Sequence, residues 1–139
     1  MQIKILIMSV NGERLWPIDK PFPASLQIDT NLNVMNFKSV GENLAQAEFI
    51  FSVNYRPPVA QLRIKGLINV SGPKSELEKL IKQQDKSKPS PLILQSILNM
   101  VIVEAVILSR TLNIPPPIPL PSIVRKVESS KRRPPTYVT

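Results

Sequence analysis

Apolar and polar residues alternate along most of the first 71 positions of the chain, with a period of two residues. A period of two places successive side chains on opposite faces of a β-strand, so each alternating stretch is predicted to be a strand. The pattern is clearest over 44–56, where one face consists entirely of apolar side chains and tyrosine. The four strands predicted in this way cover residues 1–10, 26–38, 44–56 and 59–70.

Segments rich in glycine and proline separate the predicted strands. Residues 11–25 contain Asn-Gly and three prolines and are predicted to be a loop, and Gly41 lies in a predicted turn over 40–43. Pro57 and Pro58 interrupt the pattern between the third and fourth strands. Because strands joined by short turns pair antiparallel, we predict a four-stranded antiparallel sheet with one solvent-exposed face.

A nearly uninterrupted apolar run, LILQSILNMVIVEAVILSRTLNI, follows Pro91 and leads into PPPIPLP. The run has the length of a membrane span, but its polar residues, including the carboxylate Glu104, are costly in lipid. We therefore expect a helix over 91–113 that packs on one face of the sheet and ends before the prolines. A shorter helix with one apolar side, including Leu77 and Leu80, is predicted before it. Strands first and helices last indicate an α+β fold class.

The composition removes most catalytic chemistry. The 139 residues include no cysteine and no histidine, so a thiol nucleophile, the commonest general base and the commonest metal ligand are missing. Four glycines cannot supply a glycine-rich phosphate loop, and the carboxylates have no metal-ligand spacing. We expect no enzyme activity, no cofactor and no metal. The stretch MQIKILIMSV lacks the basic leader and cleavage site of a signal peptide, which predicts a cytoplasmic protein outside the membrane.

Positive charge is concentrated towards the C-terminal end. The formal net charge is +8, of which residues 123–139 carry +4. A strongly basic balance favours a polyanionic partner. We therefore divide the chain into an α+β domain over 1–122 and a basic, extended, proline-rich tail over 123–139. The tail residues predicted to contact RNA are Arg125, Lys126, Lys131, Arg132, Arg133 and, by stacking on a base, Tyr137.

Three cations of the predicted sheet extend this expectation. Arg63 and Lys65 alternate with the apolar residues of the fourth strand, and Arg56 ends the third strand. Residues in such positions commonly form a solvated strand face. Alternatively, they form a phosphate-contacting patch that continues the charge of the tail.

The segment Ile107–Val124, ILSRTLNIPPPIPLPSIV, resembles the bacterial export chaperone SecB and small archaeal SecB-like proteins. In that family the long helix ends in a Ser-Arg-like turn and is followed by a ribbon of proline and leucine. The corresponding residues here are Ser109, Arg110, Pro116, Ile118, Leu120 and Pro121. The resemblance implies a SecB-like four-stranded antiparallel sheet and a homo-oligomer formed through the long helix and the edge strands. It also implies a molecular chaperone that holds unfolded polypeptides for export.

Charge separates this chain from the SecB chaperones, which are acidic, and its basic tail replaces the helix that follows their ribbon. A fold can be shared while the function differs. The sequence therefore favours a non-enzymatic RNA-binding protein, ribosomal or ribosome-associated, whose tail lies along ribosomal RNA among neighbouring ribosomal proteins. A SecB-like chaperone is the alternative, and a subunit of another assembly is a third interpretation.

Overall fold

Six elements of regular structure follow one another in the predicted order, strands first and helices last. The computed structural model describes residues 1–85 and 90–118. The elements are β1 (Gln2–Arg14), β2 (Gln27–Gly41), β3 (Leu44–Arg56), β4 (Ala60–Ser71), α1 (Lys74–Asp85) and α2 (Pro91–Leu112). A mixed α+β fold with a four-stranded antiparallel sheet and two helices is therefore confirmed.

The strand order in the sheet is β1-β4-β3-β2, and each neighbouring pair is antiparallel. β2, β3 and β4 pair with their neighbours in sequence through short turns. β1 instead pairs with β4, from Gln2 opposite Ser71 to Arg14 opposite Ala60. The connection over residues 15–26 therefore passes from one edge of the sheet to the other.

β1 is longer than the local pattern predicts. The prediction of a loop at Asn11 and Gly12 is wrong, because both are strand residues that pair with Arg63 and Leu62 of β4. These partners lie about fifty positions further along the chain, so a local pattern cannot reveal them. Gly12 also allows α2 to approach the strand, since a Cβ there would lie 2.7 Å from a methyl carbon of Leu108. The glycine serves close packing here and makes no turn.

One face of the sheet is apolar and is covered by both helices; we call it the covered face. On β3 and β4 its aliphatic and aromatic side chains are at most 2 % exposed. They are Ala45, Ala47, Phe49, Phe51, Val53, Tyr55, Ala60, Leu62, Ile64, Ile68 and Val70. The inward-facing residues predicted for these two strands are thus confirmed.

The two helices divide the covered face between them. α2 lies over β1 and β4, and α1 lies over β2 and β3, where it buries Leu77 and Leu80. In the described part of the chain, α2 is the one helix long and apolar enough to cross a membrane, with a mean hydropathy of 2.1. It packs into the core along a stripe of every fourth residue, as expected for a helix on a sheet. The stripe consists of Ile93, Ile97, Val101, Ala105 and Ser109.

Gly66 of β4 marks the closest packing on the covered face. A Cβ at this position would lie 2.3 Å from the backbone oxygen of Leu6 and 2.7 Å from the ring of Phe49. Both distances are far below van der Waals contact, and the first involves backbone that cannot rotate away. The Phe49 ring therefore occupies space that exists because position 66 has no side chain.

Arg14 fixes the C-terminal end of α2 to the sheet. Its guanidinium donates hydrogen bonds to the backbone oxygens of Leu112 (3.2 Å) and Asn113 (2.6 Å), at the negative end of the helix dipole. The same group donates to the backbone oxygen of Trp16 and lies 4.9 Å from the centre of the Phe22 ring. One side chain thus joins β1, the connection that follows it and the end of the long helix.

Beyond α2 the chain returns towards the junction of β3 and β4. Asn113 has left-handed backbone angles (φ 54°) and ends the helix. Ile114 is buried, and the hydroxyl of Tyr55 donates a hydrogen bond to the backbone oxygen of Pro115. The segment that leads towards the basic residues is therefore attached to the end of the sheet where β3 meets β4.

Candidate nucleic-acid interface

The face of the sheet that points away from the helices, which we call the open face, consists of the alternate residues of the same strands. Hydrogen-bonding side chains occupy most of its positions. Its amides and hydroxyls include Ser9, Asn11, Asn31, Asn33, Gln46, Ser52, Asn54, Gln61 and Asn69. Because amides and hydroxyls both donate and accept hydrogen bonds, this face can bind a polar partner across all four strands.

A shallow, open pocket of about 540 Å³ lies on this face near the junction of β3 and β4. Three strands line it, with Asn11, Gly12 and Glu13 from β1, Ser52 and Asn54 from β3, and Gln61, Leu62, Arg63 and Lys65 from β4. Strand register explains the grouping, since Arg63 lies opposite Asn11 on one side and opposite Ser52 on the other. The pocket exists because β1 pairs with β4.

Arg63 and Lys65 are the cations of this pocket, and both are exposed. Being two residues apart on one strand, they lie on the same face with roughly 7 Å between their backbone positions. Among the side chains that the structure describes, Arg56 with Asp29 is the only ion pair, so no described carboxylate lies within ion-pair distance of Arg63 or Lys65. Two adjacent cations flanked by amides and hydroxyls are suited to binding phosphate groups.

Arg56 does not join this pair of cations. Its Nε lies 2.6 Å from a carboxylate oxygen of Asp29, and both side chains are about half exposed or more. It ends β3 opposite Gln27, four residues beyond the Ser52 that flanks Arg63. The structure thus brings together two of the three sheet cations that the sequence pattern singled out.

Most of the net charge belongs to residues outside the described part of the chain. The described residues contain eleven lysines and arginines against nine aspartates and glutamates, a net charge of +2. Since the whole chain carries +8, residues 86–89 and 119–139 hold the remaining +6. All six tail residues predicted to contact RNA lie outside the described residues: Arg125, Lys126, Lys131, Arg132, Arg133 and Tyr137.

Sequence reasoning did not single out two features of the pocket. Amides and hydroxyls, among them Asn11, surround the cations, and Glu13 places a carboxylate on the rim. The period-two pattern does assign Ser52, Asn54 and Gln61 to the outer face. The pairing of β1 with β4 brings the residues of β1 beside them. This pairing depends on the strand order, which no single segment of the sequence specifies.

Tyr55 is a titratable group whose pKa departs from its ordinary value. Burial raises the pKa of its hydroxyl above 10, and a hydrogen bond with Ser109 acts in the opposite direction. The hydroxyl lies on the covered side of the sheet and holds Pro115. It positions the segment after α2 and is not part of the open face.

Metal chemistry has no support among the described residues, where no group of three or more His, Cys, Asp or Glu side chains could hold an ion. Comparison with protein-family models, with curated proteins and with solved structures finds no match to this chain. Function is therefore inferred from the open face, the outer side of α2 and the distribution of charge.

Proposed function

We propose that this chain is a non-enzymatic RNA-binding protein, ribosomal or ribosome-associated, that contacts ribosomal RNA through its basic tail and its open face. The observation that carries the proposal is the position of Arg63 and Lys65. Both are exposed, no described carboxylate pairs with them, and amides and hydroxyls surround them in one pocket. Cations bind phosphates, and amides and hydroxyls donate to phosphate and sugar oxygens, so this chemistry fits a nucleic-acid backbone.

The course of the chain after α2 supports cooperation between the tail and the open face. The hydrogen bond from Tyr55 to Pro115 holds segment 114–118 at the end of the sheet that also carries the pocket. Residues 123–139, with a net charge of +4, follow soon after in sequence. We therefore propose that both groups of cations contact one RNA.

Cosedimentation with ribosomes at low and high salt tests this proposal. In the full chain, replacing Lys131, Arg132 and Arg133 by glutamine should sharply weaken association and lower the salt slope by roughly one unit for each phosphate that is no longer neutralised. The matched control replaces the three lysines of α1, which lies on the other side of the sheet, by glutamine. The proposal fails if the tail variant cosediments like the wild type, or if the α1 control is weakened as much.

A different surface favours the alternative, a chaperone that holds unfolded polypeptides. On the side of α2 that points away from the sheet, Leu92, Met100, Val103 and Ile107 are each more than 40 % exposed. Met8 of the edge strand β1 is also exposed, at 70 %. An apolar surface of this kind suits an apolar segment of another polypeptide or a second copy of the chain.

Two measurements on one double variant test this second function. Val103→Glu with Ile107→Glu should convert an oligomer into a monomer in sedimentation velocity and should abolish suppression of aggregation of an unfolded protein. Thr111→Glu, on an exposed position of the same helix, is the control and should do neither. A wild-type protein that is a monodisperse monomer at high concentration and leaves aggregation unchanged excludes both roles of this surface.

A further inference from the structure

The open face combines cations with hydrogen-bonding groups but presents no aromatic ring in the described part of the chain. Of the seven aromatic residues, three are buried in the core and three others pack against it. The buried ones are Phe49, Phe51 and Tyr55, and the partly buried ones are Trp16, Phe22 and Phe37. Tyr137, the seventh, lies in the tail outside the described residues. Every described ring therefore contributes to the core.

The absence of rings on this face matters because single-stranded and double-stranded RNA are recognised differently. Protein surfaces that bind single strands stack the unpaired bases on aromatic side chains. Double-stranded RNA hides its bases and is recognised through phosphates and 2′-hydroxyl groups across the wide minor groove. A face without rings among its described residues offers single strands no aromatic stacking surface and retains the groups that a duplex backbone needs.

The arrangement of the polar groups matches a backbone of this kind. Arg63 lies between the amide of Asn11 and the hydroxyl of Ser52 on neighbouring strands, which are about 4.8 Å apart. A phosphate takes a cation and hydrogen-bond donors, whereas a 2′-hydroxyl takes a group that donates and accepts, as an amide does. In this row the cation therefore lies between two hydrogen-bonding groups, as a phosphate lies between two sugars along RNA.

We propose that the open face binds the sugar–phosphate backbone of double-stranded RNA, with Arg63 and Lys65 on phosphates and Asn11, Asn54 and Gln61 on 2′-hydroxyls. The inference rests on the RNA-binding function proposed above and specifies the form of RNA that this face takes. Recognition is independent of base sequence, because neither kind of contact reaches a base edge.

Glu13 sets a limit to this surface. Its carboxylate lies on the rim of the same pocket, opposite Gln61, and would repel a phosphate placed beside it. Glu48, the other carboxylate facing this side near the centre of the sheet, accepts a hydrogen bond from the Asn36 amide (2.8 Å). The backbone path therefore runs past Arg63 and Lys65 and away from Glu13, and Glu13→Gln should tighten binding.

Fluorescence anisotropy on the full chain tests the inference. The probes are an RNA duplex of about 16 base pairs, the span of a compact duplex-binding domain, a uridine single strand of equal length and a DNA duplex of the same sequence. The salt concentration is varied between roughly 50 and 200 mM. At each concentration we expect the RNA duplex to bind more tightly than the uridine strand and the DNA duplex. Arg63→Gln with Lys65→Gln should lower the salt slope for the RNA duplex by roughly two units, while Lys74→Gln with Lys79→Gln on α1 leaves it unchanged.

Three results would overturn the inference while leaving RNA binding intact. They are a uridine strand that binds as tightly as the RNA duplex, a DNA duplex that does so, and a face variant that behaves like its α1 control. The tail variant separates the two proposals, because loss of binding there, with an unaffected face variant, supports RNA binding by the tail and refutes the contact of the open face. If neither duplex nor single-stranded RNA binds, both proposals are wrong.

Discussion

The side chains of the covered face must fit the helices in volume and shape, whereas most side chains of the open face are polar and solvated by water. Neighbouring residues of β3 illustrate the contrast. Phe51 is 1 % exposed beneath the helices, and Ile50 points to the open face and is only partly buried. A change of side-chain volume on the covered face leaves a cavity or a clash. On the open face, solvent fills the space that a smaller side chain leaves.

This contrast separates two kinds of measurement. Substitutions on the covered face should change the free energy of unfolding, and those on the open face should change binding with little effect on folding. Unfolding and binding measurements on variants of the two faces test that separation.

Phe51→Ala should destabilise the protein by about 3–5 kcal/mol, because it removes a buried ring and leaves a cavity. Ile50→Ala, one residue away on the other face, should cost about 1 kcal/mol. Urea denaturation gives both values from the shift of the midpoint. Similar destabilisation by the two variants would show that the open face is packed against something and would break the comparison.

Gly66→Ala should cost about 3 kcal/mol, because its Cβ would meet the Leu6 backbone oxygen at 2.3 Å and the Phe49 ring at 2.7 Å. Gly41→Ala is the control, since a Cβ there would lie 3.6 Å from the Leu44 Cβ, an ordinary distance for two carbon atoms. The difference between the two in thermal or urea unfolding measures how tightly β1 and β3 pack around position 66. Equal stabilities would mean that the strands can separate without cost.

Arg14→Gln should cost about 2 kcal/mol, because it removes the hydrogen bonds from a charged donor to the Leu112 and Asn113 oxygens. Arg110→Gln, an exposed residue in the last turn of the same helix, should cost much less. Hydrogen exchange should show faster exchange confined to the last turn of α2 in the Arg14 variant. Unchanged exchange in that turn would show that Arg14 does not hold the helix end on the covered face.

Tyr55 makes stability depend on pH in the alkaline range. Because burial raises its pKa above 10, the folded state favours the protonated hydroxyl. Its contribution is complete below pH 10 and disappears as the pH rises through the raised value. Tyr55→Phe removes this dependence and costs about 1 kcal/mol at neutral pH, because the hydrogen bond to Pro115 is missing. When the pH is raised from 8 to above 10, the urea midpoint of the wild type should fall more than that of the variant. Equal decreases in the two proteins would contradict this prediction.

Arg63→Gln with Lys65→Gln should leave the free energy of unfolding within about 0.5 kcal/mol of the wild type, because both side chains are exposed and have no described ion-pair partner. The same urea titration measures it. A larger decrease in the free energy of unfolding would mean that these cations stabilise the sheet, and that the open face, like the covered face, contributes to folding.

Much of the covered face could be predicted from local pattern, since period-two alternation fixes which side of β3 and β4 is buried. The long helix and its stop before the prolines were predictable for similar local reasons. What depends on distant pairing was not. The extension of β1 through Asn11 and Gly12, the hydrogen bonds of Arg14 and the pocket around Arg63 all require β1 to lie beside β4. The ion pair of Arg56 with Asp29 likewise joins two strands, so the pattern of one strand does not reveal it.

The strand order also determines when each strand can pair while the chain is being synthesised. β2, β3 and β4 pair with their chain neighbours, so they can form hairpins soon after they leave the ribosome. β1 is made first, yet its partner begins at Ala60, and Arg14 finds its helix carbonyls 98 and 99 residues later. The earliest strand therefore stays unpaired, with its apolar residues exposed, until β4 has been made. Closure of the fold waits for the last turn of α2, and a nascent chain stalled before that point would be the species that is most open to aggregation.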